Sequence, residues 1–591
     1  MNVLGRFSIV SISALFFLPI ALTAQVSSEI GADELREHVT YLASDELAGR
    51  RPGTPGALAA AEYVRDQFRA AGLRLLGEDG MQHFSIVTGI SAGAASRLAV
   101  NDVPATLDET FTPLSFSAST GLNAGVVCVG YGFDYEADSS AWRDYAGREV
   151  DGTWVLILRG SPDDESGDYD PFSSLRKKAL VARDHGAGGV LFAAGPLFDE
   201  DDVLVEMTYQ QQEAAMDIPV LSISRTLADA LLEGRTVAEL EKELNAARAP
   251  LAVPTRGVVN AEVEMVRHTV DAFNVVGMIE GTDPALAEEC LVLGAHYDHL
   301  GMGGPGSGSR RPDTSAVHNG ADDNASGTAA IIEIAERIAA DPLPRSVVVV
   351  AFTAEEMGLL GSKHFAANPP ADIGKAVLMC NLDMVGRMRE GEKSLSVGGT
   401  GTADGLADLV EAVVTRHGFT AKMSPEGYGP SDHAAFYTRD IPVLFFFTGV
   451  HEDYHTPDDD ADRLNYAGGK LVADVVTDIV TDVARRQEAL AYTEAGPKSR
   501  PSTSKRFKVT LGIMPDVSSS ESRGLRADAV MPDRPADRAG MKKGDVIVAM
   551  EGKPVDGVYQ YMDRLSEFKP GQRISVEVLR DGEKVVLIVE L

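Results

Sequence analysis

The spacing of apolar residues changes character several times along the chain. From about residue 32 to 75 apolar positions recur at helical spacing, interrupted at 48–55 by a stretch rich in Gly, Pro and Arg. Helices around a loop are expected there. From about 115 to 255 the pattern becomes one of short β-rich runs, at 125–129, 154–158, 189–192 and 218–223, with one helical stretch near 175–185. From about 262 to 491 continuous apolar runs occupy 290–295, 347–352, 376–382 and 442–447. Each leads into polar residues and then an amphipathic stretch, at 326–339, 359–367, 403–417 and 464–484. Runs without a polar face fit strands covered on both sides. Their alternation with amphipathic helices predicts an α/β domain around a largely parallel mixed sheet.

Residues 492–506, rich in Pro, Ser and Lys, read as a linker. Beyond 507 lies a small β-rich module with a short helix near 536–539 and a turn at Lys543-Gly-Asp545. A hairpin there is marked by Asp581-Gly582 between two alternating strands. A chain of 591 residues exceeds what one hydrophobic core supports. The expected division is 1–24 as a signal peptide, 25–114 and 256–491 as the α/β domain, 115–255 as an insert, 492–506 as the linker and 507–591 as a terminal module.

The signal-peptide reading rests on Arg6, an apolar run at 7–22 broken by Pro19, and small residues at Ala21 and Ala24. The run is too short and interrupted for a spanning helix, and no second long apolar segment follows. An exported protein without a stable membrane span is expected, in the periplasm or outside a bacterial cell. No Cys near the cleavage site offers a lipid anchor. Cys128, Cys290 and Cys380 lie far apart without zinc-ribbon spacing, and are expected as buried free thiols. Any metal must then be held by His and carboxylates. The net charge of -34 excludes nucleic acid and anionic membrane as partners, since both require a basic surface.

Most of those carboxylates serve solubility, but some fall at particular places. Ligands of an open α/β sheet bind beyond the carboxyl ends of its strands. After the run at 290–295 comes His296-Tyr-Asp298-His299, and after 347–352 come Glu355 and Glu356. Asp383 follows 376–382, and His455 follows 442–447 after a short loop. Asp322 and Asp323 precede the helical stretch that starts near Ser326. Two His and three carboxylates, without thiolate, suit two borderline divalent ions such as zinc sharing one carboxylate. Such a pair polarises a carbonyl and acidifies a water. A further carboxylate must then move the proton, and adjacent Glu355 and Glu356 can divide the tasks of base and ligand.

These residues sit in motifs that resemble a family. His296-x-Asp298, Gly320-Ala-Asp-Asp-Asn-Ala-Ser-Gly327, Thr353-Ala-Glu-Glu-Met-Gly-Leu-Leu-Gly-Ser362, Asn381-Leu-Asp-Met384, Ser431-Asp-His433 and Tyr454-His-Thr456 look like the two-zinc aminopeptidases, a family that includes bacterial leucyl aminopeptidases and glutamate carboxypeptidase II. The resemblance spans roughly residues 30 to 490. It implies two zinc ions, with Asp323 bridging them, His296 and Asp383 completing one site and Glu356 and His455 the other. It implies Glu355 as general base, Asp298 as the partner that orients His296, and Tyr454 as a donor to the developing oxyanion. Val129-Gly-Tyr-Gly-Phe133, Tyr145-Ala-Gly147 and Gly186-Ala-Gly-Gly-Val-Leu-Phe192 resemble an inserted protease-associated domain. Leu511-Gly-Ile513, Pro535-Ala-Asp-Arg-Ala-Gly540 and Gly544-Asp-Val-Ile547 resemble a bacterial PDZ domain, which would take peptides or protein C-termini by strand addition near 511–513.

Blander readings stand beside these. Asp322 reads as a helix cap or an acceptor for nearby backbone rather than a metal ligand, and His299, His318 and His451 as loop residues or supports behind the ligands. Asp432 and His433 shape the pocket or serve structure alone. The Gly-rich stretch 301–308 lacks the Lys-Ser/Thr of a phosphate loop and reads as a loop near the cleft. The expected activity is hydrolysis of N-terminal residues from peptide substrates. A carboxypeptidase of the same fold is the alternative left open by Arg387 and Arg439, and a non-catalytic peptide-binding scaffold is the rival from another class.

Overall fold

The computed structural model describes residues 29–137, 140–162, 169–207, 215–286, 288–370, 375–389, 391, 393–499, 509–515, 524–531, 534–555, 558–580 and 582–591. The expected signal peptide at 1–24 lies outside the described residues, as do 500–506 of the expected linker.

A nine-stranded sheet carries the candidate site. At its centre Ser346–Phe352, Glu289–His296, Lys375–Leu382 and Val443–Phe447 run parallel to one another. Every residue of Ser346–Phe352 is buried, because the sheet is covered on both faces. Side chains alternate across a strand. Val347, Val349 and Ala351 therefore join Val64, Phe68, Ile331 and Val476 in one core, while Val348, Val350 and Phe352 join Phe365, Phe436 and Tyr437 in the other. The first face is built by helices Ala32–Leu42, Pro55–Ala70, Gly327–Ala340 and Tyr466–Ala484, the second by Leu360–Ala367 and His433–Tyr437.

The expectation of a largely parallel sheet holds at this centre and for the outer pair Ser394–Gly398 and Thr420–Met423. Met265–Ile279 is antiparallel to Ser346–Phe352 and also to Met81–Ala92, and Ser394–Gly398 is antiparallel to Val443–Phe447. Parallel neighbours need a crossover, and helix Gly327–Ala340 provides it between Glu289–His296 and Ser346–Phe352. Met265–Ile279 enters as one arm of a ribbon instead, without a crossover, so it reverses direction.

A second sheet of eight strands has the order Val103–Pro104, Arg97–Val100, Val258–Glu262, Gly121–Cys128, Trp154–Leu158, Gly189–Ala193, Val220–Ile223, Phe111–Pro113. It draws strands from both sides of the expected insert at 115–255, because Val258–Glu262 is wedged antiparallel between Arg97–Val100 and Gly121–Cys128. The third sheet has six strands and includes Ile513–Pro515, Leu525–Val530, Val546–Met550 and the hairpin Arg573–Arg580/Glu583–Glu590. Arg580 pairs with Glu583 across the expected turn, of which Asp581 lies outside the described residues.

The three cysteines are buried and free. The start of the expected linker is a strap on the α/β unit, not a spacer. Thr493 N–H donates to Thr402 O at 2.8 Å, and the Tyr437 hydroxyl donates to Gly496 O at 2.7 Å and accepts Ala495 N–H at 3.0 Å. Among the described residues, no helix is long and apolar enough to cross a membrane.

Candidate metal centre

The parallel strands deliver the candidate side chains to one rim. His296 is the last residue of its strand, Asp383 follows Lys375–Leu382 directly, and Glu355 and Glu356 come just after Ser346–Phe352. Asp323 lies in the turn that leads into helix Gly327–Ala340, and His455 in the loop beyond Val443–Phe447.

Asp323 is divided between two groups. Its Oδ1 lies 3.3 Å from His296 Nε2, which is also 3.5 Å from Asp383 Oδ1. Its Oδ2 lies 3.1 Å from His455 Nε2, which is 3.2 Å from Glu356 Oε2. Nitrogen and oxygen ligands about 2.0–2.2 Å from a tetrahedral zinc lie roughly 3.3–3.5 Å from one another. The separations here, 3.1–3.5 Å, lie at or slightly below that spacing. His296 Nε2, Asp383 Oδ1, Glu356 Oε1 and His455 Nε2 are buried without a hydrogen-bond partner. An orphaned buried polar atom costs about 1–3 kcal/mol. Here His296 and Asp383 converge with Asp323 in one group that could hold a cation, and Glu356 with Asp323 and His299 in another, and their chemistry suits zinc.

Electrostatics point the same way. Burial pulls His296 toward the neutral form, yet Asp383, Glu355, Asp298 and Asp323 raise it well above the usual imidazole range. His455 is likewise raised to about 11 against its burial, by Glu356 and Asp323. Burial pushes Asp323 and Glu356 up, but the histidines outweigh it, holding Asp323 well below the carboxylate range and Glu356 at about 2. So many buried carboxylates call for positive charge. Glu355 differs. Burial, then the negative charge of Glu356, Asp432 and Asp383, push it well up despite His296. A carboxyl raised in this way is suited to exchanging a proton.

The supporting residues depart from expectation in several places. Asp298, expected as the partner that orients His296, lies against it mainly through its main chain. The nearer acceptor for His296 Nδ1 is the Asp298 main-chain oxygen at 3.2 Å, with carboxylate Oδ1 at 3.7 Å. That Oδ1 accepts Glu355 N–H at 3.0 Å. Asp322 takes the second of its two expected readings, bonding backbone instead of capping the helix. Its Oδ1 accepts Gly386 N–H at 2.7 Å and its Oδ2 lies 3.2 Å from His451 Nε2. Asn324 is the cap, accepting Gly327 N–H at 2.9 Å and Met384 N–H at 3.2 Å while donating to Leu382 O at 2.9 Å. It thereby ties the Asp323 turn to the strand end before Asp383.

Ser431 holds Asp383, donating to its Oδ2 at 2.7 Å and accepting from Asn381 Nδ2 at 2.8 Å. Asp432 is fully buried and pushed to about 7 by that burial, while the buried His433 stacks on Phe445 at 4.6 Å and is drawn down to about 3. Both are interior residues. Tyr454 stacks on His455 with ring centroids 3.9 Å apart, and burial, followed by Asp323 and Glu356, keeps its hydroxyl protonated. His318 packs in its loop, with Nε2 2.8 Å from Ser309 Oγ and Nδ1 3.0 Å from Ala316 O. The Gly-rich stretch does border the site, since Gly308 O lies 3.1 Å from His455 Nδ1.

Arg50 and Asp459 escaped the sequence reading, and His299 lies nearer the metal ligands than a loop residue would. The buried Arg50 guanidinium donates to Tyr297 O at 2.7 Å, Asn319 O at 2.7 Å, Gly320 O at 3.0 Å and Leu42 O, bracing the loops that carry His296 and Asp323. Burial lowers it to about 10, against Asp298 and Asp323, and it stays charged. Asp459 accepts Asp322 N–H at 3.0 Å and Asp323 N–H at 3.1 Å through Oδ2. His299, expected as a loop residue or support, lies inside the cluster, its Nδ1 2.8 Å from Glu356 Oε1 and 3.8 Å from Asp323 Oδ2. Its place beside the His-x-Asp motif was the available signal.

The profile of peptidase family M28 matches residues 274–480, and that of the PDZ domain matches 509–591. Aminopeptidase YwaD of Bacillus subtilis is 31% identical over 381 residues, covering 62% of this chain and 68% of its own length. A probable leucine aminopeptidase of Trichophyton verrucosum is 27% identical over 226 residues. This chain spans 56% of the fungal relative's length, and the match covers 36% of this chain. The solved structure of a zinc aminopeptidase from Bacillus subtilis aligns with a TM-score of 0.43 at 20% identity, covering 78% of this chain and 97% of that one.

Proposed function

The chain belongs to peptidase family M28 and is a metallo-exopeptidase, and from that premise we propose that it removes N-terminal residues from peptides with two zinc ions held in one shared site. The observation that carries the reading is the division of Asp323, with Oδ1 turned to His296 and Oδ2 to His455. His296 and Asp383 complete one position, Glu356 and His455 the other. When bound, the zinc ions polarise the scissile carbonyl and lower the pKa of water toward neutrality.

The chain's own residues do the rest. Glu355 takes the proton from the attacking water and returns it to the leaving amine, a task its raised pKa suits. Asp298 fixes the backbone that carries Glu355. Tyr454, kept neutral, donates to the oxygen on which charge develops. Attack from the amino end is supported by the names of the relatives. It is also supported by the two arginines that left a carboxypeptidase open. Arg387 is paired with Asp453 at 2.5 Å, and Arg439 donates to Ala435 O at 3.0 Å.

The accessory units complete the proposal. The unit built on Gly121–Cys128 and Trp154–Leu158 is read as an inserted protease-associated domain, of the kind several members of the resembled family carry. The PDZ unit is read as a holder of peptides or protein C-termini, and the chain as exported. Cleavage of aminoacyl-p-nitroanilides, assayed with and without a chelator, tests the activity. Chelator-sensitive release supports it, and a zinc-loaded protein that turns over no N-terminal residue removes it. Cleavage of peptides with a blocked amino end would favour the carboxypeptidase.

A further inference from the structure

We infer that His299 is a ligand of the position formed by Asp323, Glu356 and His455, so that the two metal positions are chemically unequal. The inference rests on the two-zinc reading above. The His296 side then offers one imidazole and two carboxylates, and the other side two imidazoles and two carboxylates.

Both ring nitrogens of His299 are buried without a hydrogen-bond partner. Its Nδ1 lies 2.8 Å from Glu356 Oε1, and with an Asp323 oxygen these donors form a cluster able to hold an ion. Nδ1 faces carboxylate oxygens of Glu356 and Asp323 without a well-aligned hydrogen bond, an arrangement that a shared cation would satisfy. Both imidazoles border the same Asp323 oxygen. His455 Nε2 lies 3.1 Å from Asp323 Oδ2, which is 3.8 Å from His299 Nδ1, and the two imidazoles meet edge to face with centroids 5.6 Å apart.

The ring is also held in place. Gly320 has φ +55°, and a Cβ there would come within 2.5 Å of His299 Cγ and Cδ2. The backbone leading to Asp323 therefore packs directly on the imidazole and keeps it facing the cluster. A larger residue at position 320 would push the ring away.

The test is zinc binding to the full chain, followed by calorimetry, with cobalt absorption as a second readout. His299→Ala and the longer-chained His299→Gln should weaken one of two zinc-binding steps by on the order of tenfold to a hundredfold or more. The other step should persist, and the cobalt spectrum should change with the lost nitrogen donor. Free imidazole should restore binding to His299→Ala. His318→Ala, which removes a nearby loop imidazole, should leave both steps intact. Unchanged affinities and an unchanged cobalt spectrum in both His299 variants would overturn the assignment. So would weakened zinc binding with an unaltered cobalt spectrum, which would make His299 a positioning residue for Glu356. Wild-type protein that binds a single zinc and loses it in His299→Ala keeps the assignment and removes the two-zinc reading. Wild-type protein that binds none removes both.

Discussion

Glu355 N–H donates to Asp298 Oδ1 at 3.0 Å, which couples the backbone of the proposed base to the segment that carries His296. The fully buried Asp298 therefore serves two loops at once, its carboxylate holding Glu355 and its main-chain oxygen lying nearest His296. The position of Glu355 depends on it as much as the orientation of His296 does.

Glu355→Gln should keep its full zinc content and lose on the order of 10²–10⁴ in kcat, since it removes proton transfer and no ligand. Metal analysis beside steady-state kinetics checks this. Loss of zinc in this variant would mean that Glu355 and Glu356 have their roles reversed. Asp298→Ala should lower kcat more than zinc affinity, because it frees the backbone of Glu355 and leaves the main-chain acceptor of His296 in place.

Arg50→Met should destabilise the α/β unit by at least about 3 kcal/mol, because the main-chain oxygens of Tyr297, Asn319 and Gly320 lose their buried donor. Denaturant unfolding measures the loss. Zinc affinity should fall with it, since those oxygens flank His296 and Asp323. A variant of unchanged stability would show that the loops hold themselves.

Asp459→Ala leaves the N–H groups of Asp322 and Asp323 without their acceptor, and should weaken zinc binding more than Asp459→Asn, which keeps one carbonyl oxygen there. Calorimetric titration of both variants separates the outcomes. Equal affinities in the two would mean that the charge of Asp459 matters and its hydrogen bonds do not.

Lys178, far from the metal cluster, gives a pH signature. Its buried Nζ donates to Leu158 O at 2.7 Å and Gly160 O at 2.6 Å, and lies over the rings of Tyr131 and Phe133. Burial lowers it to about 7, partly offset by Asp144. Its unfolded value is about 10.4. Between these values the unfolded chain holds a proton that the fold has released, so this contribution to stability grows as pH rises and is lost as pH falls toward 7. Lys178→Met lacks the titration. Its melting temperature relative to wild type should therefore decline steadily from pH 7 to pH 10. Its lost hydrogen bonds change the offset and not this slope. A constant difference would show that Lys178 keeps its proton when folded.

The sequence by itself determined the alternation of strands and helices and the placing of His296, Glu355, Glu356 and Asp383 at strand ends. Both are local matters, since a run apolar on all sides needs cover on both faces and parallel strands end on one rim. Only the tertiary structure decided which atoms meet. Arg50 reaches Gly320 across 270 positions, and Asp459 reaches Asp323 across 136. No periodicity encodes pairings at such a distance. Likewise, His299 read as a loop residue because its spacing matched no ligand motif, and only the packing of Gly320 turns its ring toward Glu356. The edges of the large sheet reversed direction for the same reason, since the direction of a neighbouring strand is set by the path of the chain and not by its own residues.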